Sequence, residues 1–353
     1  MAFPSKILAL KQKHEKWIPL VFFAGGFTFD AYMLQRIDEL FAILQQAAYI
    51  AVAGALICLN LAGYQPVNRL GARLWHYHEE LMHFLLGTLL NAYTIFYFKA
   101  SSSFTSIVFV VALCGVLYVN ESKALRASNA AVRLGLLALC ITSYLVCLVP
   151  ILMGQIGTLP FLLSIFAATL AAAPFFWFLK RRELERQLLV PFAIVQASFL
   201  VLYFAELIPP VPLSLKYMGI YHGLTKKDGE YELAWTRSRW RFWQNGDQSF
   251  DARPGDKIYF FARVFSPTRF SEKLNVRWLH HGKQGWHAWD AIPMAIMGGR
   301  EEGFRGYAVK SNYEPGDWRV QVETHDGREL GRIYFTVEAD PGTDARETRL
   351  DRQ

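Results

Sequence analysis

The chain has 353 residues, of which 53% are hydrophobic and 19% charged, so its composition departs from that of an average soluble protein. Its net charge is +7, but from Leu213 onward 22 basic residues face 20 acidic ones, so most of the surplus precedes that point. The surplus falls in short segments between apolar runs, where membrane topology explains it, and nucleic-acid binding is therefore not indicated. The four cysteines lie inside the apolar runs and predict neither a disulfide framework nor a thiolate metal site.

Seven apolar segments before residue 208 are long enough, or nearly so, to cross a bilayer. A hydrocarbon core about 30 Å thick needs roughly 20 apolar residues of helix. Residues 1–16 are basic and no small-residue cleavage site follows them, so the first segment is interpreted as a retained span. We predict a transmembrane all-α bundle over residues 17–208 with spans at Trp17 to Leu34, Leu40 to Ala62, Leu81 to Phe98, Phe104 to Val119, Leu134 to Met153, Leu159 to Leu179 and Leu188 to Leu207.

Basic residues are distributed unevenly among the loops of this bundle. With the N-terminal segment in the cytoplasm, 13 basic residues lie inside and two outside, which is the bias expected from the positive-inside rule. The inside set is Lys6, Lys11, Lys13, Lys16, Arg69, Arg73, Lys123, Arg126, Arg133, Lys180, Arg181, Arg182 and Arg186, and the outside pair is Arg36 and Lys99. An odd number of spans then places the C-terminal domain outside the cytoplasm, which for the inner membrane of a bacterium means the periplasm or the cell exterior.

The pattern changes after the last span, at Pro209, Pro210 and Pro212. These prolines cannot continue a helix and favour a short stiff stalk. Beyond them, short period-2 segments alternate with turn signals, which predicts a small antiparallel β-sandwich over residues 209–338. The polar residues 339–353 are predicted to form a flexible tail. The predicted strands are Tyr231 to Trp243, Lys257 to Phe265, Leu274 to His280, Trp286 to Ile296, Trp318 to Glu323 and Arg332 to Val337.

Several stretches of the C-terminal domain carry a family resemblance, among them Gly219-Ile-Tyr-His, Tyr259-Phe-Phe-Ala-Arg-Val-Phe-Ser-Pro and Pro315-Gly-Asp-Trp-Arg-Val-Gln-Val-Glu-Thr. From Pro209 to Val337 the chain resembles the bacterial domain-of-unknown-function family twenty-nine fourteen. The preceding bundle is similar to the membrane region that often accompanies that domain. The resemblance implies a membrane-attached β domain in a Gram-negative type of cell, and it implies no activity.

Two groups of side chains have metal-ligand chemistry. At the start of the third span His76, Glu80 and His83 share a helix face, and Glu80 with His83 has the Glu-x-x-His spacing of di-iron bundles. No second copy of the motif is present, so a polar, hydrated helix start is the simpler interpretation. In the C-terminal domain His280, His281, His287 and Asp290 surround a turn without a recognised ligand spacing. No metal or other cofactor is predicted.

Polar side chains in or beside the spans are a second kind of candidate. Charges at membrane depth are costly and suggest function, but those at span ends reach the headgroups, and amides near mid-span often bridge helices. Structural pairing and a polar cavity opening outward therefore both stay open. The candidates are Asp30, Asn91, Lys99, Gln196 and Glu206.

The C-terminal domain offers one candidate binding face. On a strand, Arg237, Arg239 and Arg241 would face one side while Trp240 and Phe242 face the other. Guanidinium groups grip phosphate or carboxylate with two hydrogen bonds. The glycine-rich segment Gly298 to Tyr307 would add Arg300 and Arg305 to hold the same anionic partner, since glycines let backbone approach a ligand closely. Pairing of these arginines with Glu301 and Glu302 is the alternative, and the aromatics Trp278, Trp286 and Trp289 fit either a sugar platform or a packed core.

No nucleotide-binding, hydrolase, kinase or zinc-protease signature is present in the sequence. The favoured hypothesis is therefore a non-enzymatic binding or assembly module that presents its sandwich to a partner protein or to an anionic glycan or lipid of the envelope. Membrane lipids surround the bundle. The alternative is a transporter or membrane-embedded enzyme that handles a lipid or small solute, because seven spans exceed what an anchor needs. The sequence indicates no oligomeric state.

Overall fold

The computed structural model describes residue 28 and residues 37–101, 104–121, 130–267, 270–297 and 303–353. Nearly all of the first predicted span, with Asp30, lies outside these residues, and so does Arg300. The described helices are α1 Leu40–Leu61, α2 Arg69–Trp75, α3 His78–Ala100, α4 Phe104–Glu121, α5 Ala130–Met153, α6 Thr158–Lys180 and α7 Glu185–Phe204.

Within the described residues, five helices are long and apolar enough to cross a membrane: α1, α3, α5, α6 and α7. Helix α4 corresponds to the predicted fourth span, but its apolar part, Ser106–Leu117, is shorter than the other five. The helical membrane region was thus predictable, since long apolar runs have few other structures open to them. The predicted number of seven spans is not reached among the described helices.

The chain divides into two compact units. The first comprises Met1–Tyr97, Val110–Tyr144 and Ala167–Ser198, and the second comprises Phe98–Phe109, Leu145–Phe166 and Phe199–Gln353. The division crosses several helices instead of falling at residue 208, where the sequence placed the domain boundary. The β domain therefore belongs to one unit together with the ends of several helices.

Close packing and a helix-bridging amide characterise the first unit. Gly54 of α1 lies against the ring of Phe175 in α6, and a Cβ at Gly54 would come within 2.4 Å of that ring, so glycine permits the contact. Gln196 of α7 is buried and donates from Nε2 to Thr142 Oγ1 of α5 at 3.1 Å. Such side-chain hydrogen bonds between apolar helices hold neighbouring helices in register.

In the second unit, the end of α7 is fixed to a turn of the β domain. The ring of Tyr203 stacks on Phe161 with centroids 3.7 Å apart. The Arg328 guanidinium lies 3.6 Å from the centroid of the Tyr203 ring. It also donates a hydrogen bond to the Tyr203 carbonyl oxygen at 3.2 Å. Cation–π stacking and a charge-assisted hydrogen bond thus act on the same pair of residues.

Eleven described strands form the β domain: β1 Ser214–Tyr221, β2 Gly223–Lys227, β3 Glu230–Trp235, β4 Ser249–Ala252, β5 Ile258–Phe265, β6 Ser271–Gly282, β7 Gly285–Met297, β8 Phe304–Lys310, β9 Gly316–Thr324, β10 Glu329–Ala339 and β11 Arg349–Arg352. They make three sheets, with orders β1-β5-β8, β4-β10-β9-β6-β7 and β11-β3-β2. Strand β4 runs parallel to β10, so the predicted all-antiparallel arrangement is corrected to a mixed one.

The core lies between the first two sheets. Phe260 and Val264 of β5 pack in one buried cluster with Val276 and Trp278 of β6 and with Trp318 of β9. The alternation predicted from the sequence is present in β9, where buried and partly exposed residues alternate from Asp317 to Val322. This is the face-to-face packing of a β-sandwich.

Residues 339–353 are not a tail, and this prediction was wrong. Strand β11 pairs antiparallel with β3, and the Trp235 indole Nε1 donates to the Asp351 carboxylate at 2.8 Å. Before β11, Arg346 pairs with Asp256 at 2.6 Å. The polar composition that suggested disorder instead supplies the ion pairs and hydrogen bonds that hold this segment on the domain.

Candidate functional site

The segment from Thr236 to Asp247, called here the arginine-aromatic loop, is not the strand that its alternating sequence predicts. Strand β3 ends at Trp235, and β4 begins at Ser249. The pairing of β3 with its partner β11 also stops at Trp235, opposite Arg349, so the ladder does not continue into the loop. A period-2 sequence pattern indicates which side chains would share a face of a strand, but it does not indicate where the partner strand ends.

Asp247 fixes both ends of this loop. Its buried carboxylate accepts the Thr236 N–H at 3.0 Å and the Arg237 N–H at 2.7 Å, while its own N–H donates to the Ile220 carbonyl oxygen at 2.7 Å. Gly246 has φ of 65°, and a Cβ there would lie 2.0 Å from the Ile220 oxygen. Only glycine fits that position. Asp247 and Gly246 together close the loop onto β1.

The three predicted binding arginines separate into two kinds. The Arg237 guanidinium lies 3.8 Å from the Trp235 ring centroid and donates to the Gly246 carbonyl oxygen at 3.4 Å, so its role is structural. Arg239 and Arg241 are exposed. The interpretation that all three arginines share one strand face is therefore corrected to an exposed pair on a loop.

Arg305 does not join that pair. It lies on β8 and donates to the carbonyl oxygen of Gly229 at 3.2 Å, in the turn that precedes β3. The arginine-aromatic loop follows the other end of β3. The predicted contribution of Arg305 to a shared cluster is therefore wrong, and Arg300 lies outside the described residues.

Large aromatic side chains of the loop are exposed. Trp240 is 84% exposed, Phe242 81% and Trp243 68%, and the rings of Phe242 and Trp243 meet edge to face at 5.2 Å. Single exposed apolar residues are ordinary on protein surfaces. Three neighbouring aromatic residues interleaved with two exposed arginines are the composition enriched at binding hot spots.

A polar groove lies beside the loop. It has a volume of about 360 Å³ and is lined by Arg241 and Gln244 of the loop and by Trp286, Asp317 and Tyr334 of the five-stranded sheet, among others. The Trp286 and Tyr334 rings are 5.6 Å apart. Of the aromatics proposed as a sugar platform, only Trp286 lines this groove, since Trp278 lies in the core and Trp289 packs against it.

Lys310 of β8 is fully buried, and no pattern in the sequence predicted this. Its Nζ forms an ion pair with Asp290 and donates to Asn312 Oδ1 at 3.2 Å. The rings of Trp278, Trp289 and Trp318 surround it at 5.1 to 5.7 Å. Asp290 is thus the counter-ion of a buried cation, which accounts for an acidic residue near the turn that carries His280, His281 and His287.

The side chains with metal-ligand chemistry that the sequence offered as candidates do not form a metal site among the described residues. Throughout the described part of the chain, no three His, Cys, Asp or Glu side chains are arranged to hold a metal ion. His76 is the C-cap of α2, whereas Glu80 and His83 belong to α3. The His280 ring packs at 4.7 Å from Trp318 and at 5.5 Å from His287.

The polar membrane candidates lie in different units. Asn91 and Gln196 belong to the first unit, and Lys99 and Glu206 to the second. Gln196 bridges two helices, as described above. Glu206, with φ of 57°, lines a polar cavity of about 170 Å³ together with Arg328 and other residues of the second unit.

A buried acid–base pair lies beneath the loop. His222 Nε2 is 3.7 Å from Asp247 Oδ2. Burial raises the pKa of Asp247 to about 6, against the opposing effect of the Thr236 and Arg237 N–H groups and the Arg237 charge. Burial, with the charge of Arg346, lowers the pKa of His222 to about 4. At neutral pH the site therefore holds an ionised Asp247 and a neutral His222.

These opposite shifts predict opposite pH dependences of stability. Asp247 stabilises the fold below its unfolded pKa of about 4 and loses that contribution as pH rises through about 6. His222 stabilises it above about 6.5 and loses that contribution as pH falls through about 4. Each effect amounts to about 3 kcal/mol from the shifts, so in the native protein the two largely cancel between pH 4 and 6.5.

Single replacements should expose each contribution. The free energy of unfolding of Asp247→Asn, measured by urea titration, should rise relative to the native protein as pH goes from 4 to 6.5, and that of His222→Gln should fall. The free energy of unfolding of each variant is compared with that of the native protein at the same pH. This subtraction cancels the pH-dependent contributions of Asp256, Asp340 and Arg253, which all three proteins share. Parallel pH profiles for both variants would contradict the assignment.

Residues 271–337, which contain strands β6 to β9 and β10 as far as Val337, match the model of a family described as "Protein of unknown function (DUF2914)". The sequence resemblance described above covers Pro209 to Val337, but the family model does not match the residues from Pro209 to Phe270. It does not match the helical region either. No curated protein matches the chain.

Two solved structures are similar to parts of the chain. An immunoglobulin-like protein from Pseudomonas aeruginosa is 14% identical, with 36% of this chain and 98% of that chain covered and a TM-score of 0.23. The alkylpurine DNA glycosylase AlkC from Pseudomonas fluorescens, bound to DNA containing an abasic site analog, is 10% identical, with 74% and 70% covered and a TM-score of 0.20. At TM-scores this low, neither similarity indicates a function.

Proposed function

We propose that the protein is a non-enzymatic binding module of the bacterial inner membrane, with its N-terminal segment in the cytoplasm and its β domain in the periplasm. In this proposal the arginine-aromatic loop of the β domain holds an anionic component of the envelope. The observation that carries the proposal is the exposure of Trp240, Phe242 and Trp243 beside Arg239 and Arg241 on a loop fixed at both ends.

The anchoring of the loop supports a binding role. A partner gains most from exposed aromatics when their backbone is already ordered, because little conformational entropy is then lost on binding. Asp247 supplies that order by accepting backbone N–H groups from both Thr236 and Arg237. The arginines add charge attraction and bidentate hydrogen bonding for carboxylate or phosphate.

The position of the loop favours a partner other than the surrounding bilayer. Arg328 contacts the end of α7, and β10 then runs away from that point. Thr336 lies eight residues beyond Arg328 in the chain, a distance of roughly 26 Å in an extended strand. Its N–H donates to the carbonyl oxygen of Gln248, next to the loop, at 2.9 Å. The loop thus lies about the length of β10 from the end of α7, and this separation supports a partner other than the lipid headgroups around that helix.

The alternative, a transporter or membrane-embedded enzyme, is not favoured by the polar candidates. Clustering of these side chains around one cavity would have supported it. Instead Gln196 is used in a helix bridge to Thr142, and Glu206 lines a cavity with charged residues of the β domain. These are the contacts expected when polar groups stabilise a bundle and its attached domain.

A binding assay on spheroplasts and inverted membrane vesicles tests the proposal. Fluorescent polyglutamate and hyaluronan oligosaccharides serve as acidic probes at low ionic strength, where charge attraction is strongest. Spheroplasts should retain at least one probe, and inverted vesicles should retain neither. The double variant Arg239→Gln, Arg241→Gln should weaken retention at least about tenfold, since each lost charge-assisted hydrogen bond costs about 1.5 to 3 kcal/mol.

The matched control is Lys226→Gln, Lys227→Gln, which removes the same charge from exposed residues of β2. It should leave retention unchanged. An equal loss of probe retention in the two double variants would show that retention depends only on net charge, which would contradict the proposal. Undiminished retention by the arginine variant would also refute it.

A further inference from the structure

The groove beside the arginine-aromatic loop, called here the Trp286 groove, has the features of a site for a polyhydroxylated ligand. Its volume of about 360 Å³ lies at the lower end of the range for ligand pockets, enough for a short stretch of a polymer. One wall is the loop, which contributes Arg241 and Gln244, and the rest comes from β7, β9, β10 and the residues at the start of β4. The groove therefore adjoins the exposed aromatics of the loop.

Two partly exposed aromatic rings of the five-stranded sheet line the Trp286 groove. Trp286 is 36% exposed and Tyr334 48%, and their ring centroids are 5.6 Å apart. The Arg319 guanidinium lies 5.1 Å from the Trp286 centroid and helps hold that ring in place. Aromatic rings of this kind pack against the apolar faces of sugar rings and leave the ligand's hydroxyl groups for polar neighbours.

The polar lining combines hydrogen-bond donors and acceptors. Arg241 only donates, the Asp317 carboxylate only accepts, and Gln244 and Gln248 can do both. Asp317 already accepts from the Thr336 hydroxyl at 2.8 Å, which orients the carboxylate and leaves it further lone pairs. Gln244 Oε1 accepts no hydrogen bond from the described residues, so a rotation of its amide toward the groove would give that oxygen a donor from a ligand.

This mixture discriminates among anionic ligands. A phosphate or an acidic peptide side chain brings acceptors alone, and Asp317 would repel it. A sugar hydroxyl can donate to Asp317 and accept from a glutamine amide in the same pose. Arg241, at the loop side, would then bind a carboxylate carried by the sugar.

We propose that the Trp286 groove binds a short stretch of an acidic polysaccharide, with sugar rings on Trp286 and Tyr334 and a sugar carboxylate at Arg241. This inference rests on the proposed binding function and adds the class of ligand. The groove supplies recognition of the sugar, while Arg239 and the exposed aromatics of the loop extend the contact along the chain.

Isothermal titration of the full-length protein in detergent tests the ligand class. The probes are hyaluronan hexasaccharide, which alternates an N-acetylated sugar with a uronate, neutral maltohexaose and polyglutamate. Hyaluronan hexasaccharide should bind, and maltohexaose should bind more weakly because it offers Arg241 no carboxylate. Trp286→Ala should weaken hyaluronan binding at least about tenfold, whereas Trp286→Phe, which keeps an aromatic surface, should stay within about threefold.

Tyr307→Ala is the control, because Tyr307 is an exposed aromatic residue, 48% exposed against 36% for Trp286, and lies on β8 of another sheet. It should leave binding unchanged, and melting curves of all variants show whether the fold is retained. Binding of polyglutamate through Arg239 and Arg241, without binding of either saccharide, would overturn the groove assignment and leave the proposed function standing. Binding of no probe would overturn both.

Discussion

Replacing Trp318 by alanine is expected to lower the free energy of unfolding of the β domain by about 3 to 5 kcal/mol. Trp318 is fully buried between the two sheets, and its Nε1 donates to the Glu314 carbonyl oxygen at 2.9 Å. Its ring lies 5.2 Å from Trp289 and 4.7 Å from His280. Alanine would leave a cavity in the core that these rigid neighbours cannot fill.

Urea unfolding of the full-length protein in detergent, followed by the near-ultraviolet circular dichroism of its aromatic side chains, measures this change. Trp243→Ala is the control, since it removes the same side chain from an exposed position and should change stability by less than about 0.5 kcal/mol. If both variants unfold at the native midpoint, the assignment of Trp318 to the core is refuted.

Replacing Asp290 by alanine is expected to cost about 3 to 5 kcal/mol, because it leaves the Lys310 ammonium buried without its counter-ion. Asn312 and the three surrounding tryptophan rings remain, but they are neutral and compensate the charge only in part. Urea unfolding again provides the measurement.

The same ion pair allows a sharper comparison. Lys310→Met removes the buried charge and fills its space with an apolar chain, a change that is often neutral or stabilising at buried ion pairs. The double variant Asp290→Ala, Lys310→Met should therefore be more stable than Asp290→Ala alone. A double variant that is less stable than the single one would show that the aromatic surroundings require the cation itself.

Local sequence patterns predicted the elements that local physics determines. The apolar runs that became α1, α3, α5, α6 and α7 have no other way to satisfy their backbone in a membrane. The strand patterns that became β5, β6, β7, β9 and β10 were each bounded by turn residues. Strands β1, β2, β4, β8 and β11 were missed, because none shows a long period-2 pattern. Of these, β1, β4, β8 and β11 also pair with strands distant in sequence, whereas β2 pairs with the adjacent β3.

The candidate site was predicted only in its composition. The arginines and aromatics between Arg237 and Phe242 carry a strand-like alternation, and nothing local reveals that Asp247 draws this segment out of the sheet. The role of Asp247 depends on contacts with Thr236 and Ile220, which the fold alone brings close. Lys310 was missed for the same reason, since its surroundings come from β6, β7 and β9.

The last strand also closes the edge of β3 to a second chain and leaves the four-residue β11 as the edge of that sheet. An uncovered strand edge presents a row of unpaired N–H and C=O groups that a second chain can extend into a larger sheet. Strand β11 covers that edge of β3 from Trp235 to Glu232, and backbone hydrogen bonds between Tyr231 and Gln353 continue the cover. The ion pairs of Arg346 that hold the preceding segment therefore keep the β3 edge beside the exposed aromatic loop closed to edge-to-edge aggregation.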